Sequence, residues 1–349
     1  MKKTKDNIRS NWTFNEALKI YNQSFNELLY KAQSIHRNNF NNSKVQMSTL
    51  LSVKTGSCPE DCAYCPQSAH HNTNLEKEKL INITKVKEAA IKAKSSGSTR
   101  FCLGAAWREV KDNNQFDQVL DMVKGITNMG VEVCCTLGML NENQADKLKK
   151  AGLYAYNHHI DTSQDYYKSI ISTRTYDDRL KTLKNVQKAK ISVCSGGIIG
   201  MGETKEDRIG MLTTLSNLAS HPDSVPINTL VAVEGTPLEK QKEVPIWDLI
   251  RMIATARIIM PQSVVRLSAG RNTRSTQDQA LCFLAGANSI FSGEKLLTTP
   301  NPEFNEDREL FSLLGLKETP AFESSQREKK QTAFESSQRE KDQSVSLTQ

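Results

Sequence analysis

Residues 45–65 read VQMSTLLSVKTGSCPEDCAYC, a β-prone apolar run that leads directly into three closely spaced cysteines, Cys58, Cys62 and Cys65. Their spacing is C-x3-C-x2-C. Structural zinc sites and simple electron-transfer iron–sulfur sites usually take four protein ligands. A cluster held by three thiolates leaves one iron open to bind a small molecule, so the spacing favours a catalytic cluster. The alternatives are chance spacing or a zinc site completed by His70 or His71.

Eight apolar, β-prone runs recur from residue 45 onward, and amphipathic helical patterns separate them. The runs cover residues 45–56, 100–107, 131–138, 154–161, 191–202, 225–233, 264–270 and 287–293. Eight β units that alternate with helices predict an α/β protein, a (βα)8 barrel of the TIM type. The alternative is an open doubly wound sheet. For that fold, residues 200–202 (GMG) offer no clear dinucleotide-binding turn.

The composition divides the chain into an N-terminal arm with helices, a barrel and a polar tail, at residues 1–44, 45–316 and 317–349. Two helices are predicted within 12–38. The tail contains the octapeptide FESSQREK twice, at 322–329 and at 334–341. Polar low-complexity sequence cannot bury enough apolar surface to fold, so we expect this tail to be disordered.

Charge and hydropathy argue against a membrane protein and a nucleic-acid-binding protein. No stretch approaches the roughly 20 apolar residues of a membrane span, and no apolar region follows the basic N-terminus. The 349 residues include eight cysteines, too few for a disulfide scaffold, and we expect a cytoplasmic location. The net charge is +7, but the sequence contains no basic patch that is rich in aromatic residues. It suits an anionic small molecule or an acidic electron-donor protein.

Alternation along the strands predicts a second group of chemically reactive side chains. Successive residues point to opposite faces of a strand, and the apolar face of each barrel strand should meet the helices. The other face then carries Cys102, Cys134, Cys194 and Arg266 toward the axis. Burying these groups unpaired would be costly, so a second metal cluster is expected between them. The alternative is that each is a small core cysteine, as we expect for Cys135 and Cys282.

Nine motifs, in this order, resemble the biotin synthase family of the radical S-adenosylmethionine (SAM) superfamily: CPEDCAYCPQS, STRFCLGAAW, CCTLG, YNHHIDTS, VCSGGIIGMGET, VPINTLV, VRLSAGR, GANSIFSG and LLTTPNP. The resemblance covers about residues 12–315. It implies a homodimeric barrel enzyme that converts dethiobiotin to biotin, with flavodoxin or ferredoxin as electron donor. In that family, SAM cleavage gives a 5′-deoxyadenosyl radical that removes hydrogen from dethiobiotin, and a second cluster supplies sulfide.

The resemblance also implies roles for individual residues. The ligands of a SAM-binding [4Fe–4S] cluster match Cys58, Cys62 and Cys65. The ligands of a [2Fe–2S] cluster match Cys102, Cys134, Cys194 and Arg266. Contacts to SAM match Tyr64, Asp161 and Arg179. Contacts to dethiobiotin match Asn157, Asn228, Thr298 and Thr299. The predicted catalytic set is Asn157, His159 and Asp161.

One position departs from the family pattern. The motif at 157–161 usually reads NHNLD, and here it reads NHHID, so His159 replaces an asparagine that lines the substrate site. An imidazole is bulkier and titrates near neutral pH when unperturbed. We therefore expect retained activity with altered substrate affinity or pH dependence. Two other functions remain open from the sequence, namely a radical SAM barrel enzyme without the second cluster and a zinc-binding interaction module.

Overall fold

The computed structural model describes residues 8–293 and 295–319, whose strands and helices alternate along most of the chain. The strands are β1 (Lys44–Lys54), β2 (Arg100–Ala105), β3 (Glu132–Thr136), β4 (Ala155–Asn157), β5 (Ser192–Cys194), β6 (Gly197–Ile199), β7 (Ser224–Thr229), β8 (Val264–Leu267), β9 (Ser289–Phe291), β10 (Lys295–Leu296), β11 (Thr299–Pro300) and β12 (Lys317–Glu318). The helices are α1 (Phe14–Tyr21), α2 (Phe25–Asn39), α3 (Ile83–Ser95), α4 (Asn114–Thr127), α5 (Glu142–Lys150), α6 (Gln164–Tyr167), α7 (Tyr176–Lys188), α8 (Lys205–Ser216), α9 (Ile246–Ile259), α10 (Thr276–Leu284) and α11 (Phe304–Leu314).

Eight parallel strands close into a barrel. β1 to β5 pair in sequence, β5 pairs with β7, and β7, β8 and β9 continue the ring. The ring closes because β9 pairs back with β1, with Gln46 opposite Ser289. This closure confirms the predicted (βα)8 barrel and shows that the open doubly wound alternative is wrong. All eight predicted β runs contribute a strand to the ring.

The fifth predicted run, 191–202, forms two short strands, β5 and β6, that both pair with β7. The interruption falls at Ser195 and Gly196. A Cβ atom on Gly196 would come 2.0 Å from the carbonyl oxygen of Pro226, so only glycine fits there. After this point, β6 continues beside β7 toward the carboxyl end of the barrel.

The two faces of the barrel strands carry different side chains. Phe101, Leu103 and Cys135 belong to the large core between the barrel and its helices. On the other face, Cys102 and Cys134 pack with Ala155 in a separate interior cluster. The alternation predicted from the sequence therefore separates the adjacent residues Cys134 and Cys135. Cys282, predicted to be a core residue, is also fully buried in the outer core.

The helices begin at well-defined caps and cover the barrel from outside. Thr13 starts α1 with a capping box, in which its side chain and that of Glu16 each bind the other residue's backbone. Such caps contribute about 1 kcal/mol each. α1 packs against α8 and α9, and α2 packs against α9. Trp12 fixes this contact by donating from Nε1 to the carbonyl oxygen of Ile259 at 3.1 Å.

The C-terminal end of the described chain joins the sheet. β12 pairs with the start of β1, where Lys44 lies opposite Lys317. Lys317 and Glu318, which form β12, belong to the predicted tail. The rest of that tail at 320–349 lies outside the described residues, as does the start of the arm at 1–7. The proposed domain boundaries stay predictions. Across the described ranges, none of the helices has the length and apolar character needed to cross a bilayer.

His36 in α2 makes stability depend on pH. The ring is buried, and neither nitrogen has a hydrogen-bond partner among the described residues. Burial, together with the nearby charge of Arg257, lowers its pKa from 6.5 to about 4. As the pH decreases, the unfolded chain therefore takes up this proton at a higher pH than the folded chain does. The free energy of unfolding consequently falls between pH 6.5 and pH 4. We expect His36→Leu to reduce this pH-dependent loss in the free energy of unfolding by up to about 3 kcal/mol, as measured by urea denaturation. An unchanged pH dependence would contradict this assignment.

Candidate active site

A cavity of about 300 Å³ is lined by residues from the carboxyl ends of the barrel strands and the loops that follow them. This is the end at which (βα)8 enzymes bind their substrates. The cavity brings together most of the predicted site residues: Cys58, Cys62, Tyr64, Cys65, Cys102, Cys134, Asn157, His159, Asp161, Arg179, Asn228, Arg266, Thr298 and Thr299. Among the predicted set, Cys194 does not line the cavity; it lies behind Arg266, with 3.9 Å between Sγ and Nη1.

The loop that follows β1 holds the three spaced cysteines. Cys58 N–H donates to the carbonyl of Gln67 at 2.9 Å, and Cys65 N–H donates to that of Cys62 at 2.9 Å. All three thiols are free. Burial raises the pKa of Cys62 to about 11 and that of Cys65 to about 12. A coordinating metal deprotonates a thiol, so iron would release these protons on binding.

Residues 170–174, which follow α6, fix the cysteine loop from one side. The carboxylate of Asp61 accepts hydrogen bonds from the backbone N–H groups of Ser172 at 3.0 Å and Thr173 at 3.2 Å. The hydroxyl group of Ser172 also donates to Asp61. Ala63 N–H donates to the carbonyl of Ile170 at 3.0 Å. These bonds set the position of the loop relative to the barrel.

His70 and His71, the candidate zinc ligands, support the backbone of the loop. The Nε2 atom of His70 lies 3.1 Å from the carbonyl oxygen of Pro59, and that of His71 lies 3.0 Å from the carbonyl oxygen of Cys62. Neither histidine lines the cavity. Within residues 8–293 and 295–319, no three His, Cys, Asp or Glu side chains surround a point suited to a single ion. A cluster has no such requirement, because its cysteines bind different irons.

The interior cysteines lie on neighbouring strands. Cys102 on β2 is directly opposite Cys134 on β3, and both are buried. A hydrogen bond with Cys102 and burial raise the pKa of Cys134 well above its usual value. Burial likewise raises the pKa of Cys194 on β5. Three free thiols from three strands of one barrel thus approach the same interior.

Arg266 completes this group, and it is a buried cation. Its side chain is held by the Ser289 hydroxyl at 3.0 Å and the Ser48 hydroxyl at 3.2 Å. Among the described residues, no carboxylate lies within ion-pair distance of it, whereas the nearby Arg100 has Glu132 at 2.9 Å. A buried charge without a counter-ion is costly. Three cysteines beside such a cation fit an anionic iron–sulfur cluster, for which these four residues are the candidate ligands.

The three residues predicted to contact SAM lie together on the cavity wall. Asp161 forms a buried ion pair with Arg179, whose Nε donates to the hydroxyl of Tyr167 at 3.0 Å. The φ angle of Asp161 is 66°, in the left-handed region that non-glycine residues rarely adopt. Burial raises the pKa of Tyr64 well above its usual value, so its hydroxyl stays protonated. The wall thus presents a neutral phenol beside a balanced pair of charges.

The predicted substrate contacts differ in how much of their hydrogen-bonding capacity is free. Asn157 donates to the Thr136 hydroxyl at 3.0 Å, and its Oδ1 is buried without a partner. Both polar atoms of Asn228 already have a partner, because Nδ2 donates to the carbonyl of Gly197 at 2.9 Å and Oδ1 accepts from Ala269 N–H at 3.1 Å. Asn157 is therefore the better-placed acceptor, whereas Asn228 joins three neighbouring strand segments.

His159 lines the same cavity, and burial lowers its pKa to about 4. Its imidazole is therefore neutral at pH 7. A change of its charge near neutral pH, which the unperturbed value would allow, is therefore not expected. A neutral ring still offers one donor and one acceptor, so the expectation of altered substrate affinity remains.

A short hairpin of β10 and β11 covers part of the cavity mouth and carries Thr298 and Thr299. Thr299 donates from its hydroxyl to the carbonyl of Leu296 at 3.1 Å. Leu297, with a φ of 56°, places Cδ2 only 2.5 Å from where a Cβ on Gly104 would lie. The absence of a side chain at position 104 is therefore what allows Leu297 to seat in the mouth.

Two charged residues at the site were not predicted, Glu60 and Arg174. Glu60 is buried under the cysteine loop, and Arg174 lines the cavity with Nη2 3.6 Å from the Sγ of Cys62. Glu60 lies inside the cysteine motif and could have been singled out there. Arg174 follows a stretch without clear periodicity, and only the folding of the 170–174 segment onto the loop brings it to the cysteines.

Comparison with protein families gives two matches. Residues 52–215 match the Radical SAM superfamily, and residues 226–317 match the Biotin and Thiamin Synthesis associated domain. Solved structures with the same fold include methylornithine synthase, with a TM-score of 0.75 and 18% identity over 90% of this chain and 96% of that chain. HydG, a maturase of the [FeFe]-hydrogenase, has a TM-score of 0.75 and 19% identity over 88% of this chain and 72% of that chain.

Curated relatives are much more similar in sequence. A protein of Cytophaga hutchinsonii named biotin synthase is 62% identical over 322 residues, which is 92% of this chain and 96% of the relative. Mitochondrial biotin synthase of Arabidopsis thaliana is 56% identical over 324 residues, 92% of this chain and 86% of the relative. At these identities and coverages, the chain and its relatives share one family.

Proposed function

Since the chain belongs to the biotin synthase family, we propose that it converts dethiobiotin to biotin and takes the sulfur from a [2Fe–2S] cluster. The chain is a radical SAM enzyme with the predicted barrel, which confirms the predicted enzyme class and family. Membership implies a [4Fe–4S] cluster and SAM, and the C-terminal domain is associated with a [2Fe–2S] cluster. The predicted cofactors are therefore confirmed at the level of the family.

One observation carries the proposal: a single cavity has the loop cysteines on its wall and two of the interior cysteines, with Arg266, deeper in the barrel. In the proposal, Cys58, Cys62 and Cys65 hold the [4Fe–4S] cluster. Cys102, Cys134, Cys194 and Arg266 hold the [2Fe–2S] cluster. When bound, the first cluster and SAM supply the one-electron chemistry that yields a 5′-deoxyadenosyl radical.

The contribution of the side chains between the two cysteine groups is to bind and orient. Asp161 and Arg179 offer a carboxylate and a guanidinium to the polar groups of SAM, and Tyr64 offers an aromatic face. Asn157 has a free acceptor for the ureido N–H groups of dethiobiotin, and Thr298 and Thr299 lie at the mouth. Orientation matters because a radical reacts with whatever C–H bond is nearest. The hairpin at the mouth limits access of water and other quenching molecules.

Further parts of the proposal concern partners. Flavodoxin or ferredoxin is the proposed electron donor, and a homodimer in the cytoplasm is the proposed state of the enzyme. The net charge of +7 supports an acidic donor. Both points remain predictions from the family resemblance.

Anaerobic reconstitution tests the proposal directly. The protein is loaded with iron and sulfide, supplied with SAM, a low-potential reductant and dethiobiotin, and analysed for 5′-deoxyadenosine and biotin. We expect both products and about six irons per chain. About four irons, with 5′-deoxyadenosine and no biotin, would instead support a radical SAM enzyme without the second cluster. A colourless zinc protein would support the interaction module.

His159→Asn tests the unusual residue of the substrate site. We expect the KM for dethiobiotin to change about three- to tenfold, because one hydrogen bond of about 0.5–1.5 kcal/mol is rearranged. Since the pKa of His159 is lowered to about 4, the pH profile above pH 6 should be the same in both proteins. Steady-state kinetics from pH 6 to 8 measure both effects. Unchanged kinetics would show the substitution to be silent.

A further inference from the structure

We propose that Arg174 is a positioning residue that raises the reduction potential of the cluster held by Cys58, Cys62 and Cys65. This inference rests on the proposed function, because it takes that cluster as given. The first observation is the contact between Arg174 and Cys62, with 3.6 Å between Nη2 and Sγ. Arg174 lines the cavity, and its side chain is only 7% exposed.

The second observation is how Arg174 is held. Its Nε lies 3.7 Å from a carboxylate oxygen of Glu60, a residue that is itself 2% exposed. Nε has no hydrogen-bond partner among the described residues, so the attraction to Glu60 is mainly between charges. The Nη2 group is thereby left free to donate to the sulfur. Glu60 thus holds the guanidinium in place without competing for that donor.

The third observation is that the backbone leading to Arg174 is fixed to the cysteine loop. Thr173 donates from its hydroxyl to Glu60, and Asp61 accepts from the N–H groups of Ser172 and Thr173. Arg108 donates to the carbonyl of Thr173 at 2.6 Å. The donor and the cysteine therefore belong to one rigid unit, which keeps the contact between nitrogen and sulfur in place.

The physical consequence concerns the electron that the cluster accepts. One-electron reduction adds negative charge that spreads over the sulfur atoms. A hydrogen bond to a ligand sulfur and a buried cation both stabilise that added charge, and both act strongly where the dielectric constant is low. Hydrogen bonds to sulfur and net charge are established controls of iron–sulfur potentials. Arg174 supplies both, so it favours the reduced cluster.

The test is a redox titration of reconstituted protein without SAM, followed by the electron paramagnetic resonance signal of the reduced cluster. Arg174→Met removes the charge and the donor. We expect at least a tenfold shift of the reduction equilibrium toward the oxidised form, which is about 59 mV for one electron. Arg174→Lys keeps the charge and changes the donor geometry, so its potential should fall between the two.

Arg108→Met is the comparison variant, because it weakens the support of the segment and leaves the guanidinium of Arg174 in place. Arg108 pairs with Glu60, at 3.5 Å, and donates to the Thr173 carbonyl, but its side chain is 36% exposed. We expect its removal to shift the potential by less than half as much as Arg174→Met. Potentials of Arg174→Met and Arg174→Lys equal to that of the wild type would overturn the inference, as would an equal or larger shift in Arg108→Met. If Arg174→Met does not load iron, the reduction potential of Arg174→Lys is compared with that of the wild type, and equal potentials would overturn the inference. A wild-type protein without a [4Fe–4S] signal would overturn the proposed function as well.

Discussion

Replacing Cys62 by alanine is expected to abolish SAM cleavage. Two thiolates cannot retain a four-iron cluster, and Cys62 is the most buried of the three loop cysteines, so water cannot easily replace it. Iron should fall from about six to about two per chain. Formation of 5′-deoxyadenosine should decrease at least about 1,000-fold, to background, because the reaction has no other catalyst in the protein. Iron analysis and product chromatography measure both quantities.

Cys282→Ala is the control for this experiment. Cys282 is equally free and buried, but it lies in α10 within the outer core. We expect full iron content and full activity, with a loss of stability of about 1–2 kcal/mol from the smaller side chain. Retention of about six irons in Cys62→Ala would show that another ligand closes the cluster. The proposed SAM site would then be wrong.

The second large effect is expected from Cys134→Ala compared with Cys135→Ala. These neighbours lie on opposite faces of β3, with Cys134 in the barrel interior and Cys135 in the outer core. Removing Cys134 should leave about four irons per chain and preserve 5′-deoxyadenosine formation. Biotin formation should fall to background, because the proposed source of sulfur is lost. Cys135→Ala should keep about six irons and form biotin.

The paired design separates a role in cluster binding from a role in packing. Both cysteines are fully buried, so each substitution leaves a small cavity where one sulfur atom is removed. A similar decrease of biotin formation in both variants would assign the loss to packing. Equal iron content in both variants would show that Cys134 is not a ligand.

Most of the fold could be predicted from sequence because its signals are local. Strand and helix periods are properties of neighbouring residues, and eight β runs separated by helical patterns leave few possible topologies. The division of the fifth run into β5 and β6 could not be predicted. It coincides with the close approach of the Pro226 carbonyl to Gly196, which is 30 residues earlier in the chain. Such an approach has no pattern in the local sequence.

The site was predictable to a similar degree and for a similar reason. The loop cysteines are close in sequence, and the alternation of side chains along each strand determines which cysteines face the barrel axis. The pairing of Asp161 with Arg179 and the contact of Arg174 with Cys62 join separate segments, so neither has a local signal. The low pKa of His159 was also missed, because it is caused by burial that depends on the whole barrel.

Position 104 helps to set the shape of the cavity entrance. Leu297 occupies the space that a Cβ on Gly104 would need. Alanine there would force the Leu297 side chain to move, because its Cδ2 would lie 2.5 Å from the new Cβ. The form of the doorway is thus coupled to a residue of β2 that has no side chain of its own.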